Sequence, residues 1–113
     1  MEISNAQLKH IGELFNESFI NRMVFHFSKQ NPEWADGRTE ADCKAFISAG
    51  IDAASKYKMQ SGGPVKTYLS YWVKYGRDFE KLPEFELANE ILRTRNITEY
   101  KKMDRLKLEL PII

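Results

Sequence analysis

Residues 68–92 read YLSYWVKYGRDFEKLPEFELANEIL. A short aromatic helix ends there at Gly76, a charged corner follows at Arg77-Asp78-Phe79, and an amphipathic helix begins after Pro83. Glycine is the favoured residue just past a helix end, and proline suits the first helical turn because it has no N–H to leave unpaired. The stretch therefore reads as the hinge of a compact helical domain.

Working outward, Ser61-Gly62-Gly63-Pro64 is the clearest break, and Pro64 opens a helix over residues 64–75. Val65, Tyr68, Leu69, Trp72 and Val73 face inward there at helical spacing. Beyond the corner, a helix over about residues 84–95 presents Leu87, Ala88, Ile91 and Leu92 to the core, with Arg93 and Arg95 at the negative end of its dipole.

On the other side, Thr39 caps a helix with Asp42 in its first turn. Its apolar stripe is Cys43, Phe46, Ile47, Gly50, Ile51, Ala54 and Tyr57, and it ends near Lys58. Gly50 costs the helix about 1 kcal/mol of propensity, which a close helix–helix approach would repay.

The first helix is expected from about Asn5 to Gln30, opened by a Ser4/Gln7 capping box and stopped at Asn31-Pro32. Leu8, Ile11, Phe15, Phe19, Met23 and Phe27 form its stripe, and Phe25 is expected to be buried beside Phe27. A loop with Trp34 and Gly37 follows. Near the far end, Thr98 caps a short helix carrying Tyr100, Met103 and Leu106, while Leu106 to Leu110 alternates and reads equally well as an extended arm. The expectation is all-α: four to five helices in a single domain over residues 1–113, with a core over about 4–95 and a helix or arm over 96–113.

Composition narrows the function classes. Of 113 residues, 17 are basic and 16 acidic, so the formal net charge is only +1 and no basic stripe marks a nucleic-acid footprint. Cys43 is alone, which excludes an intrachain disulfide and a cysteine-built metal site. The polar start MEISNAQLKHIGEL is not a secretory signal, and no apolar run approaches the roughly 20 residues of a membrane span. The expected location is cytoplasmic, with no membrane association.

No motif carries chemistry. His10 and His26, the only histidines, fall about 160° apart around one helix and cannot share a metal. Cys43 has no base nearby in sequence and reads as an apolar filler. Ser61-Gly62-Gly63-Pro64-Val65-Lys66 lacks the spacing and preceding strand of a phosphate loop. The expectation is a non-enzymatic protein without cofactor or metal. Arg22, His26 and Asp78 read as a structural polar network that fixes the hinge on the first helix. Trp34, Tyr71 and Pro111-Ile112-Ile113 read as exposed apolar surface for a protein partner, since exposed aromatics are enriched at interfaces.

Three blocks also carry a resemblance: Phe19-x-x-Arg22-Met23-Val24-x-His26 with Pro32, then Gly50-Ile51-x-x-Ala54-x-x-Tyr57, then Tyr75-Gly76-x-Asp78-Phe79 with Pro83, Ala88 and Ile91-Leu92. Together, over about residues 4–95, they resemble a family of small all-helical bacterial proteins whose genes lie beside type VI secretion spike, tip and effector genes. No activity is established for that family. The resemblance implies an adaptor or chaperone for a secreted effector or spike component, or an immunity protein against a toxin acting in the cytoplasm. The alternative from another class is a helical nucleic-acid-binding regulator that sets Lys101, Lys102, Arg105 and Lys107 on phosphates.

Overall fold

The computed structural model describes residues 17–110, and every described element is helical. Helix α1 (Glu17–Gln30) is followed by a single turn, α2 (Pro32–Ala35), then α3 (Glu40–Lys56) and α4 (Gly62–Tyr75). Two 3₁₀ turns, Phe79–Lys81 and Pro83–Phe85, form the hinge corner, and α5 (Glu86–Arg93) and α6 (Glu99–Glu109) complete the fold. The expected Ser4/Gln7 cap, the stripe from Leu8 to Phe15, and His10 lie outside the described residues.

Local chemistry accounts for the helix ends. Thr39 accepts from the Asp42 N–H while Asp42 accepts from the Thr39 N–H, a reciprocal box at the start of α3. Thr98 caps α6 by accepting from the Lys101 N–H, which settles the choice between helix and arm in favour of helix as far as Glu109. At Gly76 the backbone takes φ 106°, a region open to glycine, and α4 stops there.

Close approach of α3 and α4 depends on Gly50. A Cβ at that position would run into Leu69 Cδ2 and sit 3.3 Å from Trp72 Cε3, both in the core. The glycine thus brings the two helices together, at a cost of about 1 kcal/mol in propensity.

A chain of aromatic rings runs through the core. Phe27, Trp34, Phe46 and Trp72 touch edge to face at centroid distances of 6.3, 5.4 and 5.5 Å. Tyr68 and Phe79 continue it at 5.9 and 6.2 Å, and Phe79 meets Tyr71 and Phe85 at 5.5 Å each. Pairs of this kind contribute about 0.5–1.5 kcal/mol beyond the area they bury. They tie the hinge corner to α1 through α2, α3 and α4.

Two expected placements are corrected by the fold. Phe25 is 63% exposed, because residues two apart on a helix lie some 200° apart and Phe27 takes the inward side. Leu87 is likewise exposed at the edge of the α5 stripe, while Ala88, Ile91 and Leu92 are buried.

Candidate functional site

The end of α3 decides the site. Its last carbonyls are satisfied by two crossed bonds, Met59 N–H to Ala54 O at 3.1 Å and Lys58 N–H to Ser55 O at 3.0 Å. This is the Schellman pattern, and Met59 and Ala54 supply its buried apolar contact. The pattern needs a left-handed residue, usually glycine; here it is Lys58, with φ 67°. A side chain in that conformation costs about 1 kcal/mol.

Helix α6 is fastened to this turn by two charged side chains. Lys102 is only 3% exposed and donates from Nζ to Tyr57 O at 2.7 Å. Burial holds its amine below the usual lysine range, and the Lys58 charge pushes the same way against the opposing pull of Glu99. Glu99 accepts from the N–H groups of Gln60 and Ser61 at 2.7 and 3.0 Å and from Ser61 Oγ at 2.6 Å. Burial alone would raise its carboxyl. The hydrogen bonds from Ser61 and Gln60 and the Lys102 charge outweigh it, and the net shift is downward.

Behind Tyr57 lies a buried carboxylate. Glu80, 1% exposed, accepts on Oε2 from Tyr57 Oη at 2.7 Å and Tyr68 Oη at 2.9 Å. Its Oε1 is buried with no hydrogen-bond partner among the described residues. Burial and the Glu80 carboxylate both raise the two phenols well above their ordinary range, so they remain donors.

Together these elements wall a half-open cleft of about 630 Å³. Lys56, Lys58, Lys81, Arg93, Arg95 and Lys102 line it, and no Asp or Glu does. Lys81 has a long ion pair with Asp78, at 3.9 Å. Among the described residues, no carboxylate lies within ion-pair distance of Lys56, Lys58, Arg93 or Arg95. Lys56 and Arg93 each sit in the last turn of a helix, where the dipole favours a cation; Lys58 and Arg95 lie past those ends. Asn89, Thr94, Tyr57 and Leu92 complete the walls. The arrangement suits an anion: positive charge gathered in a recess, with neutral hydrogen-bonding groups among the cations.

The residues singled out from sequence lie elsewhere. Trp34 is buried at 6% exposure and Tyr71 at 0%, which corrects the expectation of an exposed aromatic surface. Pro32 starts a turn that folds Trp34 back onto Phe27 and Phe46. Tyr71 is covered by Phe79, donates to Leu110 O at 2.6 Å, and has its phenol pushed up to about 12 by burial and by Tyr75. Pro111, Ile112 and Ile113 lie outside the described residues.

The polar network is likewise not assembled among the described residues. The Arg22 guanidinium stacks over Phe19 at 5.6 Å, the His26 ring meets Phe27 edge-on at 4.9 Å, and Asp78 pairs with Arg77 and Lys81. No hydrogen bond or ion pair joins the three. Cys43 is buried, and burial pushes its thiol up despite Arg38, as an inert filler requires. Lys102 points inward to Tyr57 O and is withdrawn from the phosphate-binding set.

Sequence reading missed the cleft because its cations lie between residues 56 and 102 in separate elements. The available signal was a lysine or arginine beside the helix stops at Tyr57 and Thr94. Among the described residues there is no His, Cys, Asp and Glu cluster able to hold a metal, and no helix long and apolar enough to cross a membrane. Comparison of the chain with protein-family models, with curated proteins and with solved structures found no match.

Proposed function

We propose that this chain, a bundle of four to five principal helices, is a cytoplasmic, non-enzymatic protein-binding accessory linked to type VI secretion. Its role in this reading is that of an adaptor or chaperone, or of an immunity protein, for an effector or spike component. The observation that carries protein binding is the cation-lined cleft. The near-neutral sequence conceals it: a net charge of +1 is compatible with six basic side chains around one recess. A local face of one sign steers and orients an oppositely charged partner. The exposed side chain of Leu82, next in sequence to cleft residue Lys81, adds apolar contact of the kind found at protein interfaces. The secretion context is supported by the sequence resemblance over residues 4–95.

Co-expression with effector and spike proteins encoded beside the gene tests this. The expected result is a complex that co-purifies and weakens as salt rises. Improved effector solubility with toxicity intact identifies an adaptor, and loss of toxicity identifies an immunity protein. Absence of any complex with those proteins refutes the secretion reading.

A further inference from the structure

We infer that the cleft takes an extended acidic segment of the partner, one bearing at least two carboxylates; this rests on the protein-binding reading above. The cations form two stations. One is Arg93 and Arg95 at the end of α5, with Asn89 and Thr94 from the same stretch, and their guanidinium forks match the planar carboxylate group. The other is Lys56 and Lys58 at the end of α3. A single carboxylate leaves one station unneutralised, whereas a segment with acids along its length reaches both.

Three observations favour a peptide over a nucleic acid. The cations are gathered in a recess rather than along an open track, and Lys101, Arg105 and Lys107 of α6 do not line it. The cleft's one aromatic, Tyr57, has its hydroxyl committed to Glu80 and offers no stacking platform of the kind single strands need. Leu82 stands exposed next to Lys81 in the corner, where an apolar side chain of a peptide would sit. Lys58 adds a separate argument. A lysine occupies a left-handed position that glycine would fill at lower energy, and it contributes one of the unpaired cations.

The test uses the full chain and a fluorescently labelled oligoglutamate peptide, followed by anisotropy. An oligoglutamine peptide of equal length, a single-stranded oligonucleotide and inorganic phosphate serve as competitors. The double variant Lys58→Glu/Arg95→Glu changes two exposed side chains, and thermal melting checks that it folds. Binding of the glutamate peptide that falls at least about tenfold in the variant, and is not matched by the glutamine peptide, supports the proposal. Equal binding of the two peptides, an unchanged variant, or stronger competition by the oligonucleotide than by unlabelled oligoglutamate overturns it. If an effector or spike complex survives the double variant and the glutamate peptide fails to bind, the segment is refuted and the protein-binding reading stands. If the peptide binds as expected and no effector or spike complex forms, the reverse holds.

Discussion

Two recesses of about 630 Å³ each open on this molecule, one at the α1–α2–α4 corner and one at the α3–α5–α6 seam. At the corner, His26, Trp34, Arg38, Ser70, Lys74 and Glu33 are among the lining residues. Its two cations lie over aromatic rings. The Arg38 guanidinium lies 5.6 Å from the Trp34 ring centroid and 5.2 Å from that of Phe46, and Arg38 Nε donates to Trp34 O at 2.5 Å. Lys74 lies over Tyr75 at 5.4 Å, and Glu33 contributes a carboxylate to the lining. At the seam, four cations have no acidic partner among the described residues. Volume is therefore a poor guide to a site here. The corner's cations are engaged with rings and backbone, whereas Lys56, Lys58, Arg93 and Arg95 at the seam have no acidic partner among the described residues.

That contrast is open to test. The largest effect is expected at the corner: Trp34→Ala removes a buried ring held between Phe27 and Phe46 and should destabilise the protein by about 3–5 kcal/mol, read by chemical denaturation. Oligoglutamate affinity, measured under conditions where the variant remains folded, should not change. A large loss of affinity would mean that the two recesses are coupled.

Next comes Lys102→Met, which keeps the stem but leaves Tyr57 O without its donor, at a cost of about 1–3 kcal/mol. Lys58→Gly should act in the opposite direction. It relieves the left-handed strain and should stabilise by about 1 kcal/mol while weakening anion binding. A variant that loses stability would show that Lys58 is structural and would blur the distinction between corner and seam.

The smallest effect is expected from Glu99→Gln, under about 1 kcal/mol at neutral pH because the amide oxygen can still accept from the turn. Its value lies in the acid range. The folded carboxyl sits below the unfolded reference of 4.5, so its contribution is present above that pH and is lost as pH falls through the folded value. The variant's melting temperature should therefore fall less than the parent's on acidification below about pH 4.5. Equal acid sensitivity would remove Glu99 as the tether.

Much of the helical framework was legible because short-range chemistry writes it: Thr39 with Asp42, Thr98, the Asn31-Pro32 stop, and Gly76. Gly50 as a point of close approach was also readable, since a glycine on a core stripe asks for a neighbour. Trp34 and Tyr71 were misplaced for one reason. Periodicity marks the inward stripe of a helix, but it does not register cover supplied from elsewhere, such as α2 folding back or Phe79 and Leu110 closing over α4. The cleft was beyond reach for the same reason, with added distance, because its walls meet only in the folded chain.

The fastening of α6 has a kinetic consequence. The bonds from Glu99 and Lys102 to the turn at 57–61 span 38, 39 and 45 residues of chain. Contacts that close long loops form late, and during synthesis the earlier helices emerge first. A nascent chain that ends before α6 has its α3 and α4 but no complete cleft. Lys56, Lys58, Arg93 and Arg95 would then precede the clasp in the chain, so α6 acts as a late fastening on a recess whose free cations are already synthesised.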